Sequence, residues 1–475
     1  MSHNPMSGRP ARTSLAFATT LALAACLALA ACAVGPTYER PQAPSAEAYK
    51  ESAGWVPAAP ADALDRGPWW ALFDDPTLAD LQQRVAVSNQ NIAAAAAAYE
   101  QARALVREQR ASLFPSVSLS GSASRSGGGG RTSTGNSLQI GIGASWEPDV
   151  WGRLRSTVDS AKASEQASAA DLASARLSAQ GELAVDYFSL RQTDAQKALL
   201  DDTIKGYERA LQITQNRYAA GVVARTDVLQ AQTTLANAQA DRVGLDQTRA
   251  QFEHAIAVLV GQAPANFSLA PAAWKASVPA VPTGVPSTLL QRRPDIAAAE
   301  RRVAVANAQI GIARSAYFPS LPLSASYGWG ASRVADLFSA SSALWSFGLQ
   351  AAQTLFDAGA TREKVTGARA AQDQAAAVYR QTVLTAFQAV EDQLAATRVL
   401  EQQYGLRQQA SQAADQVEAQ VINRYRSGQV GYSDVVTAQA TALSARRALV
   451  QITADRQTTA VALIQALGGG WHVEQ

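Results

Sequence analysis

An internal repeat about two hundred residues long is the feature that most limits how this chain can fold. The motif Leu113-Phe114-Pro115-Ser116 returns 204 residues later as Tyr317-Phe318-Pro319-Ser320. Asn216-Arg217-Tyr218 returns 207 residues later as Asn423-Arg424-Tyr425, so the order holds with a small insertion. Solenoid repeats are about 20 to 50 residues long. The longer period therefore indicates that a whole domain is duplicated.

Each half contains long segments that are almost free of Pro and Gly and rich in strong helix formers. They cover residues 78–112, 153–217 and 227–260 in the first half, and 295–316, 362–424 and 434–467 in the second. At 1.5 Å per residue the first three helices would be about 50, 95 and 50 Å long. One compact core cannot cover helices of this length. Heptad-like apolar spacings indicate that they pack side by side as coiled coils.

Between the first two helices of each half, two segments alternate apolar and small polar residues. These predicted strands cover residues 116–125 and 138–146, and then 321–329 and 343–351. A tilted strand that crosses a membrane needs about 9 to 11 residues, and Trp146 and Trp329 near the strand ends suit an interfacial aromatic girdle. Four strands cannot close a barrel, because the smallest has about eight. Two or more chains must therefore share one barrel, with eight or twelve strands.

The first 31 residues have the pattern of an export signal, with Arg9 and Arg12 ahead of an Ala- and Leu-rich run. The only cysteines, Cys26 and Cys32, each follow Leu-Ala-Ala, which resembles the bacterial lipobox. Cys32 is the predicted lipidation site, because the longer apolar run precedes it, and Cys26 is the alternative. Ala33 after the cysteine, rather than Asp, resembles the pattern of lipoproteins sorted to the outer membrane.

Charge and residue types argue against two other classes of protein. Without Arg9 and Arg12 the chain has 39 basic and 39 acidic residues, which disfavours a nucleic-acid partner. The histidines are the scattered His3, His254 and His472, and no cysteine follows position 32. No catalytic triad and no metal site can be assembled from this set. We therefore expect no enzyme activity and no cofactor.

Several separate segments resemble the TolC-like outer-membrane factors, specifically the NodT-type efflux lipoproteins. They are Cys32-Ala33-Val34-Gly35-Pro36, Trp69-Trp70-Ala71-Leu72-Phe73, and the run from Arg292-Arg293-Pro294-Asp295-Ile296 through Ala306-Asn307-Ala308 to Phe318-Pro319. The resemblance covers about residues 32 to 470. It implies a mainly α fold with membrane β: a homotrimer with a 12-stranded transmembrane β-barrel, four strands per chain, a long periplasmic coiled-coil α-barrel and an equatorial domain.

The resemblance also implies a domain order. Residues 1–31 are the lipoprotein signal peptide, and residues 32–77 are the N-terminal anchor and an equatorial segment. The first repeat covers residues 78–261 and the second covers residues 295–468. Residues 262–294 form an equatorial linker, and residues 469–475 form a C-terminal tail.

The implied function is that of an outer-membrane channel in a tripartite efflux pump, a passive exit duct for drugs or other small molecules. The implied partners are a periplasmic adaptor, an inner-membrane RND-type transporter and outer-membrane lipid. The alternative is a duct for type I protein secretion or metal export. Both methionines lie in the signal segment, so the mature chain has no Met-lined path for soft metals. The transported substrate stays open.

Two tight turns, at residues 217–227 and 424–434, would form the periplasmic tips. Gly221 and Gly428 suit a left-handed backbone there, and Asp227 and Asp434 fit helix N-caps. The resemblance assigns Asp434 to a constricted periplasmic aperture with Arg424 beside it, where salt bridges of Arg217 and Arg424 could hold a closed state. The predicted adaptor-contacting tip residues are Gly221, Val222, Val223, Val430, Gly431 and Tyr432.

Overall fold

The computed structural model describes residues 34–44, 49–51, 68–127, 135–279 and 293–469. Cys26, Cys32 and the export segment lie outside these residues, as does most of the predicted linker beyond residue 279. The helices are α1 (Pro76–Ser88), α2 (Gln90–Ala111), α3 (Arg153–Ala219), α4 (Arg225–Leu259), α5 (Pro294–Ser315), α6 (Ala360–Arg426) and α7 (Tyr432–Ala466). The strands are β1 (Ser116–Ser126), β2 (Gly135–Trp146), β3 (Leu323–Ala331) and β4 (Ala343–Leu349).

The longest helices, α3 and α6, have 67 residues each. At 1.5 Å per residue each is about 100 Å long, which confirms the prediction of very long helices in both halves. Within the described ranges, no helix combines the length and the apolar character needed to cross a membrane.

The prediction of one continuous helix over residues 78–112 is wrong at a single residue. Asn89 has an extended backbone and separates α1 from α2. Its side-chain oxygen accepts hydrogen bonds from the backbone N–H groups of Asn91 and Ile92, at 3.0 and 3.1 Å. Its side-chain nitrogen donates to the carbonyl of Leu259 at 2.9 Å. An asparagine that caps the next helix in this way ends the previous helix without Pro or Gly.

The four strands form one antiparallel sheet in the order β1-β2-β3-β4. Each repeat contributes a hairpin, and the pairing of β2 with β3 joins the two hairpins, with Trp146 opposite Leu323. All four predicted strands are present, with ends shifted by up to three residues. Strands β1 and β4 lie at the two edges of this sheet.

The register separates the side chains into two faces. One face is apolar and largely exposed, and carries Val117, Leu119, Ile142, Tyr327, Trp345 and Phe347. The opposite face carries almost only Ser and Gly, including Ser118, Gly143, Ser326 and Ser346, with Gln139 and Leu344 as the larger residues. An apolar face that alternates with a small polar face is the pattern of a strand between lipid and water.

The duplication is visible in individual hydrogen bonds. Trp146 donates to the carbonyl of Leu113 at 3.0 Å, and at the matching positions Gln353 donates to the carbonyl of Tyr317 at 3.1 Å. Where Asn89 donates to the carbonyl of Leu259, Arg293 donates to that of Ala466 at 3.0 Å. The two repeats therefore keep the same geometry even where the donating side chain has changed.

The described residues group into two compact units. One contains the sheet, within Tyr99–Ser168 and Ala299–Tyr379, and the other contains both tight turns. The second unit has an aromatic core in which the rings of Phe73 and Phe188 lie 4.9 Å apart. There the Tyr187 hydroxyl donates to Asp75 at 2.7 Å, and the same carboxylate caps α1.

Gly328 allows the close approach of β2 and β3. A Cβ atom on Gly328 would lie 2.4 Å from the carbonyl oxygen of Ile140 and 2.6 Å from the Cα of Gly141. We expect Gly328→Ala to destabilise the sheet by about 1 to 3 kcal/mol, because backbone atoms cannot yield cheaply. The measurement is the thermal transition of purified protein in detergent. Gly143→Ala on the same face is the control, because its Cβ would lie 3.7 Å from the nearest atom, Ser118 Oγ; equal transitions would contradict the expectation.

Candidate functional site

Both predicted turns end long helices in the same backbone conformation. Gly221 has a φ of 74° and Gly428 a φ of 76°, which confirms that each turn needs a left-handed residue. In the first turn the N–H of Val222 donates to the carbonyl of Arg217 at 2.8 Å. In the second, the N–H of Gln429 donates to the carbonyl of Arg424 at 2.9 Å.

The predicted helix N-caps at Asp227 and Asp434 are wrong by three residues. The N-cap positions are Ala224 and Gly431, and neither makes a side-chain cap hydrogen bond. The two aspartates lie in the first turns of α4 and α7. A carboxylate in the first turn still meets the positive end of the helix dipole, so part of the expected stabilisation remains.

A small apolar cluster lies beneath the second turn. Its buried members are Ala231, Tyr425, Tyr432 and Val435, and Val430 packs against them. The rings of Tyr425 and Tyr432 meet edge to face, 5.6 Å apart. Tyr432 was predicted to contact an adaptor, but it is only 3 % exposed. It therefore supports the turn from inside instead of forming its surface.

Arg217 connects the end of α3 to the end of α6. Its guanidinium donates to the carbonyl oxygen of Tyr425 and lies 4.6 Å above the centre of that ring. Thr214, one turn earlier on α3, lies 3.1 Å from the Tyr425 hydroxyl, at hydrogen-bond distance. Among the described residues of one protomer, Arg217 makes no salt bridge, and its guanidinium contacts Tyr425 instead of an acidic side chain.

Burial affects the electrostatics of this cluster. Burial is the main cause that raises the pKa of Tyr432 to about 12, and the neighbouring Tyr425 and Tyr207 add to this shift. The phenol therefore stays neutral over the whole physiological pH range. The charge at the turns comes from exposed residues, above all Asp434 and Arg424.

The other predicted site residues lie at the surface. Val222 is 61 % exposed, Gly221 and Gly431 are exposed, and Val223 and Val430 are half-buried. Asp434 and Arg424 are exposed and make no salt bridge with the described residues of the same protomer. In the part of the chain that the structure describes, no three His, Cys, Asp or Glu side chains are grouped to hold a metal ion.

A sheet with one lipid-compatible face, long helices and two tight turns that each contain a left-handed glycine define a protomer of an outer-membrane channel. The sequence profile of the outer membrane efflux protein family matches residues 81–262 and 285–469. The chain therefore belongs to the outer membrane efflux protein family. It resides in the outer membrane as an efflux channel and is not an enzyme.

Individual relatives agree with this assignment. The chain is 33 % identical over 448 residues to the toluene efflux pump outer membrane protein TtgC of Pseudomonas putida, with 92 % of each chain covered. The solved structure of the outer-membrane channel OprN has a TM-score of 0.85 at 31 % identity, covering 93 % of this chain and 100 % of that one. The open state of the MtrE channel of Neisseria gonorrhoeae has a TM-score of 0.83 at 29 % identity, covering 92 % and 98 %.

Sequence reasoning missed the structural role of Tyr425 and Thr214. The motif Asn423-Arg424-Tyr425 was identified as a landmark of the repeat, but its spacing does not reveal which copy of the tyrosine is buried. The difference lies in the neighbouring residues, since Tyr425 has Tyr432 beside it.

Tyr432→Ala tests whether this tyrosine supports the turn. We expect the local stability of the turn to fall by about 3 to 5 kcal/mol, as for other buried aromatic truncations. Hydrogen exchange of the backbone amides in residues 420–438 measures the loss. Val222→Ala is the control, because a mostly exposed valine should change the same amides by less than about 0.5 kcal/mol. Unaltered exchange in the Tyr432 variant would show that the ring is not packed as described.

Proposed function

We propose that three copies of the chain join their sheets into one 12-stranded barrel and form the outer-membrane duct of a tripartite efflux pump. A periplasmic adaptor and an inner-membrane RND-type transporter complete the pump, and a lipid at Cys32 anchors the duct. The single observation that carries this proposal is the four-stranded sheet, which has two open edges and two faces of opposite polarity.

The edges require neighbours. Strands β1 and β4 each pair on one side only, and lipid offers no hydrogen bonds to the groups on the other side. Pairing of β4 in one copy with β1 in the next satisfies these groups in a closed ring. The resemblance to TolC-like factors favours three copies, which gives twelve strands.

The proposed lumen has different walls at its two ends. The Ser- and Gly-rich face of the sheet would line the barrel and carries no charge among its paired residues. Asp434 would form an acidic ring at the periplasmic aperture, with Arg424 beside it. A ring of carboxylates favours cations over anions. Ion preference would therefore be decided at the aperture.

The exposed apolar residues of the turns are the proposed contacts of the adaptor. Val222 contributes the largest exposed side chain among them. Gly221 and Gly431 are also exposed, and Val223 and Val430 are half-buried. Tyr432 contributes only by holding the shape of the second turn. A duct for type I secretion or metal export is the less favoured function, because the relatives at 33 % identity are named for the efflux of antibiotics, toluene and solvents.

The first described residues support lipidation at Cys32. The N–H of Val34 donates to the carbonyl of Trp151 at 3.3 Å, five residues after the end of β2 at Trp146. Val34, the second residue after the proposed lipidation site in the sequence, is therefore held beside the start of α3.

Asp434→Asn tests the aperture. A unit charge several ångströms away in water is worth roughly 0.5 to 1 kcal/mol, or about two- to fivefold in ion preference. We expect the cation-to-anion permeability ratio of the purified channel in planar bilayers to fall by at least that factor. Asp202→Asn removes another exposed acid, on α3, and should leave the ratio unchanged. If both variants match the unmodified protein, Asp434 does not line the aperture.

Cys32→Ala tests the anchor. Mass spectrometry of the membrane fraction should find the unmodified chain beginning at an acylated Cys32, and the variant should lose the acyl mass. Cys26→Ala is the matched control and should retain it. Loss of the lipid in the Cys26 variant alone would assign the anchor to Cys26.

A further inference from the structure

Charge is scarce in the sheet and its loops, and it lies at one end. The described residues of this part of the chain are 116–127, 135–146 and 323–349. Their charged side chains are Arg125, near the end of β1, and Arg333 and Asp336, in the loop after β3. The helices α2 and α3 join the sheet at its other end. The three charges therefore lie at the outer rim, the end of the sheet away from the helices.

Arg125 lies on the apolar face of the sheet. It is opposite Asn136 in the register, and every second residue of β1 back to Val117 shares its face. The residue 204 positions later, at the matching place in the second repeat, is Trp329, which lies on the same face opposite Ile140. Tryptophan near the end of a membrane strand marks the level of the lipid headgroups. Arg125 therefore places a cation where the second repeat has an indole of the aromatic girdle.

The loop after β3 bends over the same apolar face. Phe338 belongs to this loop, and its ring meets the ring of Trp329 edge to face, with 5.6 Å between the centroids. Phe338 is still 68 % exposed. Arg333 begins the loop two residues after β3 ends at Ala331, and it is exposed as well. The loop therefore brings a second guanidinium and an exposed aromatic ring to the outer rim.

Both arginines lack an anionic partner within the described part of the protomer. Arg125 and Arg333 are exposed, and neither guanidinium makes a hydrogen bond, salt bridge or ring contact with the described residues. An arginine facing lipid costs about 2 to 4 kcal/mol at the middle of the bilayer, but only about 0 to 1 kcal/mol near its surface. Two cations with Asp336 as the one acid of this rim leave an excess of positive charge at the headgroup level.

We propose that Arg125 and Arg333 bind the phosphate groups of an anionic glycolipid of the outer leaflet, whose acyl chains lie along the apolar face beside Trp329 and Phe338. This site rests on the proposed barrel, because only there does the apolar face meet lipid. One strand separates β1 from β3, so their backbones lie roughly 10 Å apart. A guanidinium binds two oxygens of one phosphate at once. The spacing therefore suits a headgroup that carries more than one phosphate.

The aromatic rings beside the arginines favour a lipid over a free anion. Tyr327 and Trp329 meet edge to face with 5.3 Å between their centroids, and Phe338 continues the row from Trp329. A free phosphate would contact only the guanidinium groups. A phosphorylated lipid uses both parts of the surface, since its chains cover the rings while its headgroup meets the cations. Each arginine near a membrane surface contributes about 1 kcal/mol to the binding of anionic lipid.

Native mass spectrometry of the purified channel with added lipid A tests the site, because this glycolipid can be supplied with two phosphates or with none. The unmodified protein should bind the bisphosphorylated form more tightly than the dephosphorylated form. Arg125→Gln with Arg333→Gln should weaken binding of the bisphosphorylated form about 25-fold, or about fivefold for each arginine lost. Arg209→Gln with Arg407→Gln is the control, because it removes two exposed arginines from α3 and α6 and should change neither affinity.

The same spectra report the oligomer, so the site and the barrel fail separately. A monomer rejects the proposed barrel and the site with it. A trimer that binds both lipids equally, or a rim variant that binds like the control variant, overturns the site alone. The comparison of the two lipids uses the unmodified protein, so it decides the matter even where the rim variant does not fold. Inorganic phosphate that displaces the lipid at an equal concentration would identify a site for a free anion and overturn the lipid.

Discussion

The rest of this structure depends on the two edge strands, whose outer backbone N–H and C=O groups have no hydrogen-bond partner in the four-stranded sheet. A sheet of four strands leaves one side of β1 and one side of β4 unpaired, and a bilayer offers neither water nor protein to replace the missing bonds. One chain cannot remove the free-energy cost of these unpaired groups, because the pairing of β2 with β3 already uses the inner edges of both hairpins. Assembly therefore belongs to folding in this protein, since the membrane portion is complete only when copies meet.

Duplication explains how a single sequence meets this requirement. The repeats keep the same hydrogen bonds at the hairpin ends, at the start of α2 and α5, and at both turns. The side chains that supply these bonds differ, as with Asn89 and Arg293. The two repeats therefore keep the same backbone contacts with different side chains.

Much of the fold could be predicted from the sequence, because its strongest signals are periodic. Alternation of apolar and small residues located all four strands, and long runs almost free of Pro and Gly located α3 and α6. The break at Asn89 was not predictable, because it arises from a side chain that caps one helix and binds the end of another. The helix N-caps at the turns were predicted three residues too late, at Asp227 and Asp434, because the N-cap positions are Ala224 and Gly431, which make no side-chain cap hydrogen bond. Burial of Tyr432 depends on Tyr425 and Val435 packing around it, which residue spacing alone does not reveal.

The serine and glycine face of the sheet limits where a small molecule could obstruct this duct. Hydroxyl groups there bind each other across strands, as Ser116 with Ser145 at 2.8 Å and Ser326 with Ser346 at 2.9 Å. Glycine adds no side chain, so this face offers a blocking compound a smooth surface and no charged group to bind. Fixed charges are found instead at the turns, where Asp434 and Arg424 are exposed, so an inhibitor with useful affinity for this protein would have to bind there.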